Sequence, residues 1–233
     1  MSLRFVYDQP AALLADALLL SDLHLGIEYE LQQKGYHIPL QYKSVAADVN
    51  ALLKETRARQ IVFLGDVKHD VYGMRDPEER MLANFFRLLK TRRITVCKGN
   101  HDSKIEDLKG IMVAPPEGML LEKTLLFHGH ALPSEALLEK ADAFCCGHEH
   151  PLAQIKEGKH IWTQKAWILG RQNGKRFTVF PHFGRLIGGR VFDAQKHLVR
   201  FLSANACRKA DVRLLSGVRL GRVGGKPAKE RLF

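Results

Sequence analysis

Five apolar runs along this chain each end in a short polar tip, and no other feature constrains its fold as strongly. The runs are Ala17-Leu18-Leu19-Leu20, Ile61-Val62-Phe63-Leu64, Ile94-Thr95-Val96-Cys97, Thr124-Leu125-Leu126-Phe127 and Ala143-Phe144-Cys145-Cys146. Short apolar runs bounded by polar residues suit strands buried on both faces. The tips are Asp22-Leu23-His24, Gly65-Asp66-Val67-Lys68-His69, Gly99-Asn100-His101-Asp102, His128-Gly129-His130 and Gly147-His148-Glu149-His150. In an α/β sheet, residues just past the carboxyl ends of neighbouring strands converge on one crevice. Taken singly, each tip reads as well as a helix cap, a turn or a satisfied polar group. Taken together in one crevice, five tips built on His, Asp and Asn point to metal.

The donor types agree with that reading. Carboxylate oxygen, amide carbonyl and imidazole nitrogen suit divalent ions such as Mn, Fe or Zn. A carboxylate between two cations can bridge them, and Asp66 is the natural candidate. Two ions roughly 3.5–4 Å apart can clamp a phosphoryl oxygen and activate water for in-line attack. No cysteine lies in the tips, which argues against a structural zinc ribbon.

Between the tips the periodicity alternates between strand and helix. Val45, Val49, Leu52 and Leu53 recur at helical spacing and predict a helix over 43–59. Pro77 opens a second, to Lys90, with Met81, Leu82, Phe85, Phe86, Leu88 and Leu89 inward. The first hundred residues therefore read β-loop-α-β-α-β, a parallel arrangement. Residues 26–43 read as a loop, with at most a helical turn, beside the crevice. Short helices are expected over 103–109 and 133–141, the latter with Ser134 as N-cap, and strands over 111–113 and 118–121. From Leu152 onward the pattern is all-β, with strands over 153–155, 161–168, 177–180, 190–192 and 198–202. The fold class is thus α/β, two mixed sheets packed together with helices outside.

With 233 residues, 45% of them hydrophobic, the chain fits one large domain with a normal core. No apolar run is long enough to cross a bilayer, so no membrane association is expected. The first apolar stretch runs straight into Asp22 and His24, as a core strand and not a signal peptide. Cys97, Cys145, Cys146 and Cys207 form no C-x-x-C pair. Three of them end buried runs, the usage of a reduced, cytoplasmic protein. The net charge is +11, which suggests a polyanionic partner, most plausibly nucleic acid. From Arg208 to Phe233 there are eight basic and two acidic residues, a net +6. We therefore divide the chain into a catalytic domain, 1–205, and a basic C-terminal tail, 206–233, partly ordered at most. No protein partner is indicated.

The motifs Asp22-x-His24, Gly65-Asp66-x-x-His69, Gly99-Asn100-His101-Asp102, His128 and Gly147-His148-x-His150 resemble, in order, those of the calcineurin-like metallophosphoesterases. The resemblance implies a four-layer αββα sandwich. It implies that Asp22, His24 and His150 hold one metal, that Asn100, His128 and His148 hold the other, and that Asp66 bridges them. Manganese is the metal expected, with Fe, Zn or Mg as alternatives. His101 would face the phosphate, and Asp102 would orient its imidazole. His130 would contact substrate or fill space behind the ligands. His69, with Ser21-Asp22-Leu23-His24-Leu25-Gly26 and the Gly-Tyr-His-Ile-Pro loop, resembles the short SbcD-related archaeal and ligase-associated DNA repair phosphoesterases. In that group the His helps position substrate phosphate. About eighty residues follow His150, too few for the capping and partner-binding parts of the full repair nucleases.

Three functions are compatible with these features. The first is a two-metal phosphodiesterase acting on DNA or RNA. The second is a small-molecule phosphodiesterase acting on cyclic nucleotides or nucleotide-containing substrates. The third is a catalytically weak nucleic-acid-binding accessory protein, against which the intact ligand set argues.

Overall fold

The computed structural model describes residues 3–223. Its first sheet runs β1 (Arg4–Phe5), β2 (Ala12–Leu14), β3 (Ala17–Leu20), β4 (Gln60–Phe63), β5 (Ile94–Cys97) and β6 (Met112–Ala114), in that order. Strands β3 to β5 are parallel, as the spacing predicts, and β6 continues the parallel run. The antiparallel pairs β1–β2 and β2–β3 extend one side. Each strand must be apolar on both faces because each face is covered. Leu18 and Leu20 point toward α2 (Tyr42–Thr56) and α3 (Asp76–Leu88), while Ala17 and Leu19 point toward the other sheet. Helix α3 buries Met81, Leu82, Phe85 and Phe86 but ends two residues early, and Leu88, expected inward, is exposed. The segment expected as a loop after Gly26 carries a two-turn helix, α1 (Ile27–Gln33). Its anchor is the buried Glu28, whose carboxylate accepts from the backbone N–H of Gly26 (3.2 Å) and Gln41 (2.6 Å). The short helix expected over 103–109 is one 3-10 turn, Ile105–Asp107.

The second half supplies β7 (Met119–Leu121), β8 (Thr124–Leu126), α4 (Glu135–Lys140), β9 (Ala143–Cys146), β10 (Pro151–Glu157), β11 (His160–Gln172), β12 (Lys175–Val179), β13 (Arg190–Val191), α5 (Ala204–Arg208), β14 (Asp211–Leu214) and β15 (Arg219–Arg222). Ser134 precedes α4 but makes no side-chain cap bond. The sheet order is β13-β10-β11-β12-β9-β8-β7, with β14 paired to β11 and β15 to β14. Leu14, Leu19, Val62 and Cys97 of the first sheet pack on Leu126, Cys145, Trp167 and Phe180 beside the second. Beyond the second sheet, Phe144, Ile168 and Phe177 meet Leu137, Leu138 and Ala206 of α4 and α5. The result is the four-layer αββα sandwich. All four cysteines are free and buried within it.

Two further sequence expectations need correction. Residues 198–202 are not a strand. Their backbone is satisfied elsewhere: Arg200 N donates to Gly129 O (3.2 Å), Leu202 N to Val199 O (3.1 Å), and Phe201 O accepts from the Gln172 amide (2.9 Å). With those groups engaged, no ladder can form. The tail is not separate either. The expected boundary at 205 falls inside α5, and β14 pairs with β11 through Leu214, which is buried. Residues 224–233 lie outside the described part of the chain. Among the described residues no helix is long and apolar enough to cross a membrane.

Candidate metal centre

The strand ends deliver the tips to one place because parallel neighbours finish together. Gly147 N donates to His128 O (2.8 Å), and Asp22 N to Gly65 O (3.1 Å), stitching neighbouring tips within each sheet, while His148 N donates to Asp22 Oδ1 (3.2 Å) across the two sheets. Asp22, His24 and His150 each bring one donor atom within 4.8 Å of the others, and so do Asp66, His128 and His148. Asn100 joins the second group, its Oδ1 lying 3.2 Å from His128 Nε2. Asp66 stands between the two groups, its Oδ2 3.1 Å from His128 Nε2 and 3.7 Å from His24 Nε2.

Hydrogen bonds assign the imidazole tautomers, and the result suits cations. His128 Nδ1 donates to Leu64 O (2.7 Å), so its Nε2 carries the lone pair. That lone pair faces Asp66 Oδ2, Asn100 Oδ1 and, at 3.2 Å, His148 Nδ1. His150 Nδ1 donates to Gly188 O (3.0 Å), leaving its Nε2 to face Asp22 Oδ1 (3.0 Å) and His24 Nε2 (3.4 Å). Glu30 of α1 accepts from His69 Nε2 (2.8 Å), and His69 Nδ1 then accepts from His24 Nδ1 (3.2 Å). His24 Nε2 is thereby turned, as a lone pair, toward the carboxylates. Buried acceptors aimed at one another are costly unless a proton or a metal lies between them. The titration behaviour agrees. Burial lowers His24 to about 3 and His148 to about 4, so both stay neutral. Burial also opposes charge on His128, yet Asp66 raises it to about 9. Burial pushes the Asp22 carboxyl up, but His150 outweighs it and holds the group at about 2. The carboxylates of Asp22 and Asp66 thus draw positive charge onto His128 and His150, the place a divalent cation would take.

The backbone around these donors is strained. Asp22, His24, Asp66, His148 and His150 all have φ between 46° and 70°, the left-handed region that side chains other than glycine seldom occupy. The motif glycines have a common steric cause. A Cβ on Gly65 would meet the His128 ring, one on Gly99 would run into Asp66, and one on Gly147 would run into Ser21 and Asp22. Each glycine is the space through which another tip's donor reaches the centre.

Not every expected site residue does what the motif implies. His101 sits at the centre, its Nε2 4.0 Å from Asp66 Oδ2, and its Nδ1 donates to the carbonyl of His69. Asp102 does not touch the His101 ring. Its two oxygens accept from the backbone N–H of Asp66 (2.7 Å), Gly99 (2.9 Å), Val67 (2.9 Å) and Lys68 (3.3 Å). A carboxylate one residue after His101 points down into this N–H cluster, which the sequence does not reveal. Burial, with Asp66 adding to it, pushes the Asp102 carboxyl up to about 6. His69, implied to position phosphate, has both ring nitrogens engaged by Glu30 and His24. His130 belongs to neither donor group; its ring packs 5.3 Å from that of His128 and its Nδ1 is buried without a partner among the described residues.

Comparison with known proteins fits this geometry. The family model for calcineurin-like phosphoesterase matches residues 17–209. The chain belongs to that family. It is accordingly a metal-dependent phosphoesterase. No curated protein matches the sequence. Among solved structures, the nuclease MPE of Pseudomonas putida is similar in fold, with 19% identity, a TM-score of 0.58, and 92% of this chain and 96% of that one covered. The phosphoesterase Yfce from E. coli is 20% identical over 75% of this chain and 83% of its own, at a TM-score of 0.39.

The phosphoesterase site also has parts that the motifs do not announce. Ser21 Oγ donates to Asp22 Oδ2 (2.5 Å). Lys68 is fully buried, its ammonium donating to the carbonyls of Asp70 and, at 2.6 Å, Gly73. It secures the loop that carries His69. His182 packs on His150 with ring centroids 5.2 Å apart. Nothing in the sequence marks it, since only the second sheet brings it there. A cavity of about 590 Å³ adjoins His69 and His101, lined also by Tyr29, Glu30, Tyr72 and Arg75.

Proposed function

We propose that the chain hydrolyses phosphodiester bonds in nucleic acid, with two divalent ions, manganese first among them. The observation that carries the reading is the paired donor arrangement around Asp66. On this reading Asp22, His24 and His150 hold one ion, Asn100, His128 and His148 the other, and Asp66 both. Bound ions supply the positive charge that polarises a phosphoryl group and makes water acidic enough to attack it. The protein's own residues do the rest. His101 faces the phosphoryl group with Nε2, the nitrogen left free by its bond to the His69 carbonyl, and can hand a proton to the departing oxygen. Glu30 and His69 hold the His24 tautomer, as partners behind metal ligands do. Asp102 fixes the backbone on which Asp66 is presented. The net charge of +11 favours a polyanionic substrate.

One observation favours a second reading. The cavity beside His69 and His101 has the volume of a small-ligand pocket, and its tyrosines could receive the base of a cyclic nucleotide or another nucleotide-containing substrate. A substrate panel separates the two. Single- and double-stranded DNA, RNA, cyclic nucleotides and bis-p-nitrophenyl phosphate are each incubated with Mn, Mg, Zn or chelator. Cleavage of polynucleotide, steeply weakened by salt, is the expected result. Salt-insensitive turnover of nucleotides with polynucleotides untouched would overturn the nucleic-acid reading. Loss of nothing on chelation would overturn the metal assignment.

A further inference from the structure

Arg190 is neither in the metal donor groups nor in any motif, yet it lines the crevice with His24, Asp66, Asn100 and His101. Its position is set three times over. Its backbone N–H donates to His150 O (3.2 Å), and two residues earlier the Gly188 carbonyl accepts from His150 Nδ1 (3.0 Å). Gly189 between them lies so close that a Cβ would run into His150 O. The side chain is then aimed by Glu149, whose Oε1 accepts from Arg190 Nε at 2.8 Å. The Glu149 side chain is fully buried and its other oxygen accepts from Leu198 N, so this carboxylate cannot swing away.

That anchoring uses one of five guanidinium donors. Nη2 is buried and has no partner among the described residues. Buried polar groups in proteins are nearly always paired, and a charged donor left unpaired is the costliest exception. The side chain as a whole is 39% exposed and lines the crevice, so an acceptor for the remaining donors is expected on that side. The carboxylates there, Asp22 and Asp66, are already committed to histidines at 3.0 and 3.1 Å. The remaining anion that belongs in a phosphoesterase crevice is the phosphoryl group itself, and a guanidinium fork matches its oxygens better than any other side chain.

We propose that Arg190, aimed by Glu149, binds a non-bridging oxygen of the phosphoryl group in the metal crevice. Glu149 is the positioning residue and Arg190 the contact. The inference rests on reading the crevice as the phosphoester site, but not on the choice between nucleic acid and nucleotide. Glu149 lies between two proposed ligands and its carboxylate accepts from Arg190 and Leu198, which gives the middle position of Gly147-His148-Glu149-His150 a task.

The test is calorimetric titration of the manganese-loaded full chain with inorganic phosphate, beside metal analysis and a melting curve. Arg190→Met should bind phosphate roughly 10- to 100-fold more weakly, the usual worth of a charge-assisted hydrogen bond, while keeping its metal. Arg190→Lys should lose less. Because Arg190→Met leaves Glu149 buried without its cation, the pair Arg190→Met with Glu149→Gln is measured alongside. The amide oxygen keeps the Leu198 bond, and the same loss of phosphate affinity is expected. Bis-p-nitrophenyl phosphate should show the loss chiefly as a raised KM. Unchanged phosphate affinity in either folded, metal-loaded variant would overturn the proposal. Absence of diester turnover in the parent protein would instead count against the proposed function, and the phosphate titration would still decide the role of Arg190.

Discussion

At the scale of single residues, Asp102 shows how one carboxylate can matter without meeting substrate. Four backbone N–H groups converge on it, two of them from Asp66 and Gly99. Asp102→Asn replaces one acceptor by a donor facing those groups. Leaving buried N–H groups unpaired costs about 1–3 kcal/mol, and for a chain of this size each kcal/mol is about 2–4 °C in melting temperature. A fall of several degrees with impaired metal retention is expected, read by scanning calorimetry and metal analysis. A normal melting curve with only an altered pH–rate profile would return Asp102 to the job of orienting His101. His101 behaves oppositely. Its backbone N–H, not its ring, donates to Asp66 Oδ1 (2.9 Å). His101→Ala should therefore keep both metals and lose about 10²–10⁴-fold in rate, the worth of a positioned acid. The loss should shrink for esters with a good leaving group such as p-nitrophenolate. A metal content below that of the parent would refute this division between backbone and side chain.

At the scale of elements, the tips interlock. Each motif glycine makes room for a side chain from a different tip, so strand ends far apart in sequence must arrive together or not at all. Gly99→Ala is the clearest probe, because the added methyl would meet both the carboxylate and the backbone of Asp66. Strands β4 and β5, which carry these two tips, are paired side by side and buried in the same two clusters below the loops, so the fold should survive while the shared ligand moves. The expected result is near-native circular dichroism with weakened metal binding and a rate down by roughly a hundredfold, the scale of losses seen when a ligand's supports are disturbed. Unchanged metal affinity would mean the loop yields at no cost. Helix α1 makes a related point. Seven residues of mixed polarity look like a loop, yet Glu28 pins the helix and Glu30 reaches His69 from it.

At the scale of the molecule, charge and the second sheet are entwined. Much of the basic C-terminal segment lies in α5, β14 and β15, so a cut after Cys207 would strip a strand from β11. A cut after Val223 leaves the described fold whole and removes three basic residues and one acid. If those cations contact phosphates, log affinity for DNA should lose at most about 2–3 units of slope against log salt, at roughly 0.7–0.9 per contact. Hydrolysis of bis-p-nitrophenyl phosphate should be unchanged. Filter binding across a salt series reads the slope. A full-length chain whose DNA binding does not respond to salt would shift the weight to the nucleotide reading.

What the amino-acid order determined by itself was whatever local patterning and short motifs can carry. Doubly covered strands must be apolar throughout, so the runs before Ser21, Gly65, Lys98, His128 and Gly147 were visible, and the donors behind them could be named. Where backbone groups find partners far away, local pattern misleads. The alternation in Leu198–Leu202 suggested a strand, but Glu149, Gly129 and Gln172 take up backbone groups in and beside it. Side-chain direction was equally hidden. Only the folded chain turns Asp102 away from His101, commits His69 to Glu30 and His24, and brings Arg190 beside Glu149. Those contacts span tens of residues and both sheets, and their geometry is set by close packing, which short sequence windows do not encode.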